Sequence, residues 1–242
     1  TIGPNEFSEN ITPFEIVVDD SYINGTNVSF TLEIFSSIIQ TFIINMPIGQ
    51  VTVNEPVGPD IYGYYIYDTG DVEYNLAPIY DWIEIDPGYG GDGIDLNITD
   101  NGDNQDESMV VDLPFLVRFY GQDYSQITVC SNGWISFGNT PMESFRNYPI
   151  PGAGGPSPML AVFWDDLKTT NGGDIFSHYI PASENEIGKF VIEWSDVRTY
   201  DENSVESFQA IIYDNIADSP PFGDNEIKLQ YKEFNNTSNG NY

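Results

Sequence analysis

The sequence predicts an all-β protein, an antiparallel β-sandwich, on three observations. Polar and apolar residues alternate strictly in one segment after another. Gly, Pro and Asn punctuate those segments at short intervals. No window of eleven residues carries an apolar stripe of helical period. The clearest stretch is residues 119–138, FYGQDYSQITVCSNGWISFG. In it Ile127 and Val129 alternate with Thr128 and Cys130, and Ile135 and Phe137 alternate with Trp134 and Ser136. Asn132-Gly133 separates the two runs, and Asn-Gly between alternating runs is the strongest short-range sign of a hairpin.

The elements follow in order. Residues 14–18, FEIVV, are apolar and β-branched, and 19–27 are turn-rich. In residues 28–34 Val28, Phe30, Leu32 and Ile34 share one face, with Ser29, Thr31 and Glu33 on the other. Further strands are expected at 41–45 and 50–53. About four strands are too few for an Ig-like sandwich, which needs about seven. Residues 1–55 therefore read as a partial Ig-like segment. PVGPD at 56–60 marks a boundary, and 56–242 form the second domain. An aromatic ribbon (61–67), a short strand (77–85) and a Gly/Asp/Asn loop (86–108), interrupted by IDLNI at 94–98, open that domain. Strands are then expected at 110–119, 124–130, 133–137, 159–164, 174–180, 189–197, 207–214 and 226–234. In the sixth of these Phe190, Ile192 and Trp194 share one face, with Val191, Glu193 and Ser195 on the other. Residues 142–147 are the one place where a short helical turn is expected.

Composition narrows the function classes. Asp and Glu number 38 against 7 Lys and Arg, giving a formal net charge of −31. Such a surface repels phosphate backbones and anionic lipid, so nucleic acid is not an expected partner. No run approaches the ~20 apolar residues of a membrane span, and no membrane insertion is expected. One cysteine, Cys130, excludes an internal disulfide and reads as a small buried hydrophobe. Six Asn-x-Ser/Thr acceptors, at Asn10, Asn24, Asn27, Asn97, Asn235 and Asn236, suit an extracellular, glycosylated surface.

Few constellations could carry chemistry. Asp100, Asp103 and Asp106, with Asn101, Asn104 and Glu107, form the densest polar loop. Calcium takes six to eight oxygen ligands, and an acidic loop with glycine can wrap it. The spacing is not that of an EF-hand, and a solvated acidic loop is the alternative. Asp165 and Asp166 end a strand after Trp164, either as ligands or, the favoured reading, as caps for loop amides. His178 with Ser195 or Cys130 would be the only nucleophilic set, and no Gly-x-Ser-x-Gly elbow supports it. Tyr62, Tyr64, Tyr65 and Tyr67 could stack on surface glycans, but such ribbons more often pack a sheet edge or a seam.

The hairpin is followed by PMLAVFWDDL (158–167), KFVIEWSDVRTY (189–200), SFQAIIYD (207–214) and GDNEIKLQYKEF (223–234). In this order the segments resemble the nidogen-like extracellular β domain. Upstream, VGPDIYGYYIYDTGD (57–71) and APIYDWIEI (77–85) look like the segment preceding that domain in large secreted bacterial proteins, where it often follows gingipain-like or subtilisin-like peptidase domains. The resemblance covers about residues 56–234. It implies a non-catalytic module, extracellular or at the cell surface, and transfers no active site. It also implies one more short strand after the Gln-Tyr strand, which residues 239–242 do not supply, so the chain is a fragment or a neighbour completes its sheet. With the partial strand set of 1–55, that leads to the expectation of a self-assembling surface fibre or adhesin subunit whose copies join by β-strand donation. The alternative is an accessory β domain of a secreted multidomain peptidase.

Overall fold

The computed structural model describes residues 12–18, 23–35, 38–102, 105–214 and 223–236. Two compact units divide the chain, Thr1–Ile79 and Tyr80–Tyr242.

In the first unit, β1 (Asn27–Phe35) and β2 (Ile39–Pro47) form a two-stranded antiparallel sheet. The register sets Phe30 opposite Ile44 and Leu32 opposite Phe42. Expected strands at 14–18 and 50–53 are not strands: the first is irregular and the second is coil running into a turn. The 61–67 ribbon is not a strand either. Among the described residues its one pairing is the bridge between Val57 and Ile66. Asp60 Oδ1 accepts from the amides of Tyr62, Gly63 and Tyr64 at 2.9, 2.7 and 2.9 Å, which curls the ribbon into a turn.

The second unit is the predicted sandwich of antiparallel sheets packed together. One sheet runs β12–β11–β10–β9–β3: Ile227–Phe234, Val205–Tyr213, Lys189–Thr199, Asp174–Ile180 and Ile94–Asp95. The short β8 (Leu167–Lys168) adds to the end of β10. The other sheet runs β4–β5–β6–β7: Ser108–Phe119, Gln122–Cys130, Trp134–Phe137 and Met159–Ala161. The hairpin of 119–138 closes by a three-residue loop, with Cys130 paired to Trp134 and Gly133 at φ +73°. Trp194 Nε1 donates to the Cys130 carbonyl at 2.9 Å and links the sheets, and the Trp194 ring stacks on Phe208.

Both sheets carry an irregular cover on their outer face. Residues 138–158 cover β5 and β6: Trp134 Nε1 donates to the Ser144 carbonyl at 2.9 Å and Ser136 Oγ to the Pro158 carbonyl at 3.0 Å. The expected helical turn at 142–147 is irregular chain. Its Ser144 carbonyl accepts from both indoles, those of Trp134 and Trp164. Residues 80–91 cover the other sheet, and the segment expected to be a strand at 77–85 is a strap of coil. The short turn that does form is the 3₁₀ turn Pro87–Tyr89, with Asp86 accepting from the Gly88 amide at 2.6 Å.

Candidate functional site

The strap lies over a polar row on three adjacent strands. Register aligns Glu193 of β10 with Gln209 of β11, and Gln209 with Gln230 of β12. All three side chains are buried. Gln230 clamps Asp81 at both backbone groups: its Oε1 accepts from the amide and its Nε2 donates to the carbonyl, each at 2.7 Å. Gln209 Nε2 donates to the Ile83 carbonyl at 3.3 Å. Glu193 Oε2 accepts from the Ile85 amide at 3.1 Å. Alternate residues of the strap thus find partners on successive strands. A coil segment on a sheet face has no ladder of its own, so these side chains satisfy backbone groups that burial would otherwise orphan. Ile85 packs with Phe176, Val191 and Ile211 in one apolar cluster.

The strap's outer half holds a cation. Lys232 Nζ of β12 lies 2.8 Å from Glu84 Oε2 and sits over the rings of Trp82 (5.4 Å) and Tyr89 (4.8 Å). Beyond it, Ser195 Oγ donates to Asp86 Oδ2 at 2.7 Å and Tyr89 Oη to Asp196 Oδ2 at 2.6 Å. Glu193 stands out among these groups. Its Oε1 is buried with no hydrogen-bond partner. Burial and the negative charge of Glu84 push its pKa up to about 8, against the Ile85 amide and Lys232.

A second polar centre lies at the acidic loop. Asp100 is fully buried: Oδ1 accepts from the Gly102 amide at 2.6 Å, while Oδ2 has no hydrogen-bond partner of normal geometry. Burial raises its pKa against the pull of the Ser131 hydroxyl and the Gly102 amide, and Asp106 and Glu107 raise it further. Asp106 Oδ1 accepts from Asn132 Nδ2 at 2.8 Å. The Asp166 pKa is pushed up to about 7 by burial, then by Asp106, Asp100 and Asp165. The hub is Asn132, wholly buried, whose Oδ1 accepts from the Leu167 amide at 2.9 Å and whose Nδ2 also donates to the Glu143 carbonyl. Asp103 lies outside the described residues. Among the described residues no three His, Cys, Asp or Glu side chains form a metal-holding group.

The other sequence-derived candidates fall as follows. Asp165 does cap: it accepts from the Asp166 amide at 2.9 Å and from Asn236 Nδ2 at 3.0 Å. The Cys130 thiol is fully buried and its pKa is pushed by burial up to about 12. Ser195 and His178 sit on one face of the sheet but pair with Asp174 and Val191, four rungs apart, roughly 13 Å along the strands. Tyr62 and Tyr64 stack on each other at 5.6 Å, and Tyr67 meets Tyr74 edge-on at 6.3 Å. Among the acceptor asparagines, Asn27, Asn97 and Asn235 are exposed. The Asn24 amide donates to Glu55 at 3.0 Å, Asn235 to the Val205 carbonyl at 2.8 Å and Asn236 to Asp165, while Asn10 lies outside the described residues. Glu55 also accepts from Tyr74, the main reason its pKa is lowered.

Sequence reasoning missed the Glu193–Gln209–Gln230 row and the Asn132 hub. Three polar residues at outward positions of adjacent strands look like a solvated face, and only knowledge of the strap's path separates the two.

A NIDO-related family model matches residues 89–242, over half of the chain. The chain belongs to the NIDO-related family. The match takes in the whole sandwich from Tyr89 onward and leaves both 57–71 and 77–85 outside it. Searches of curated proteins and of solved structures gave no match. Among the described residues no helix is long and apolar enough to cross a membrane.

Proposed function

We propose that this protein is a non-catalytic extracellular structural module, a subunit of a surface fibre or adhesin whose copies join by strand exchange. The observation that carries the proposal is the β1–β2 hairpin. Ile34, Phe35, Ile39, Phe42, Ile43, Ile44 and Met46 are all exposed, on both faces of a sheet of two strands among the described residues. Isolated two-stranded hairpins are marginal in water, and long apolar edges invite pairing. Charge favours a second copy here. Residues 27–47 contain one charged residue, Glu33, in a chain with net charge −31, so this segment meets another copy with the least repulsion. Main-chain pairing along the β1 or β2 edge would supply the affinity. Family membership supports the extracellular setting.

Within this reading calcium is a candidate ligand of the acidic loop. Asp100 and Asp106 would supply its carboxylates, with carbonyl and water oxygens completing the shell. Glycans on the tyrosine ribbon are a lesser candidate. The second reading, an accessory domain of a secreted peptidase, is favoured by the family match being confined to the sandwich unit.

Electron microscopy and sedimentation of the purified chain test the proposal, alongside Ile43→Lys. The expected result is concentration-dependent filaments or oligomers that the substitution abolishes. A chain that stays monomeric at every concentration overturns it in favour of the accessory domain.

A further inference from the structure

Glu193 is buried in the one place where ionisation would act directly on the strap. Its Oε2 holds the Ile85 amide, and its Oε1 faces no hydrogen-bond partner. The groups packed around it come from every side. Glu84 and Asp86 on the strap oppose a negative charge there, and Lys232 on β12 favours it. Gln209 of β11 and Phe176 of β9, its register partners, bring no charge. A carboxylate in this position is wholly buried and has two anionic neighbours, so its stable arrangements are protonated under the strap or ionised in solvent.

We infer that residues 80–91 form a pH-sensitive latch, closed on the sandwich while Glu193 is protonated and lifted when it ionises. The remaining contacts decide how far it lifts. The Gln209 and Gln230 bonds are neutral and do not titrate in this range. The Lys232 grip on Trp82, Glu84 and Tyr89 lies at the rim of β12. The part centred on Ile85 therefore opens first. Opening uncovers Phe176, Val191 and Ile211, an apolar strip on the outer face of the sheet. A latch that opens in alkaline medium gives a sandwich whose outer face is sealed or sticky according to pH.

Amide hydrogen exchange on the intact chain tests this, from about pH 6.5 to about pH 9.5, after correction for intrinsic rates, in wild type and Glu193→Gln. Each pH unit above the carboxyl midpoint weakens closure about tenfold. The expected result is a rise of about tenfold or more in exchange at the Ile85 amide, with β10 and β11 unchanged, and no such rise in the variant. Protection that follows intrinsic rates alone in wild type, or an equal rise in the variant, overturns the latch. If the variant fails to fold, Trp82 emission in the wild-type chain, identified by Trp82→Phe, gives an independent readout. A transition between pH 7 and 9 is expected, and a flat titration is the contrary result.

Discussion

The Ile85 amide donates to Glu193 Oε2 at 3.1 Å across 108 residues of chain. That bond turns a polar, outward position of β10 into a buried one. It also fixes where the strap crosses the sheet, because Gln209 and Gln230 continue the same row.

Stability should fall as pH rises through the range set by Glu193. Its folded pKa of about 8 lies above its ordinary value of 4.5. Between those values the folded chain holds a proton that the unfolded chain has released. The stabilisation is complete below about pH 4.5 and lost as pH climbs through about 8. Asp166, pushed up to about 7, acts in the same direction. Urea titrations of Glu193→Gln should show a flatter pH profile, with the variant more stable above about pH 8, by on the order of 3 kcal/mol. Parallel profiles for the two proteins would contradict the assignment.

Gly133→Ala should be severe. At φ +73°, an added Cβ would sit 1.9 Å from the Phe163 carbonyl oxygen, and backbone cannot move aside cheaply. A loss of about 3 kcal/mol or more is expected. Gly90→Ala is the matched control. It has φ +95° but nothing within 4 Å, so only left-handed strain of about 1–2 kcal/mol applies. Urea midpoints should separate the two variants clearly.

Cys130 should resist thiol reagents in the folded chain. Its thiol is buried and its pKa is pushed up to about 12, leaving almost no thiolate at neutral pH. Labelling at about pH 8 should follow the rate of unfolding across a urea series, and fast labelling in native buffer would contradict this.

Calcium should raise the melting temperature, and Asp100→Asn should abolish the rise. Asp100 brings a buried carboxylate oxygen without a hydrogen-bond partner, so a cation bound there would relieve a cost of the folded state. Identical melting curves with calcium and with chelator would remove calcium from the acidic loop.

Local pattern was legible in the long strands, and the two-residue β8 gave no such signal. The alternation of Phe190, Ile192 and Trp194 marked β10, and Asn132-Gly133 marked the β5–β6 hairpin. The FEIVV run at 14–18 shows the limit of that signal: it has strand composition yet forms no strand, because composition does not supply a pairing partner. The candidate centres were half legible. Acidic density pointed to Asp100 and Asp106, but Asn132 looked like a turn former. It proved to be the buried side chain tying Asp106, Glu143 and Leu167 together.

By itself the sequence determined the long strands of the sandwich and its β5–β6 hairpin, because period-2 alternation and turn chemistry act over a few residues, and the order of those segments pointed to its family. Only the tertiary structure decided which outward faces are dry. Glu193, Gln209 and Gln230 read as a solvated face until the strap at 80–91 is laid across them. Burial is a property of what packs on a surface, and the covering residues lie more than a hundred positions away in the chain.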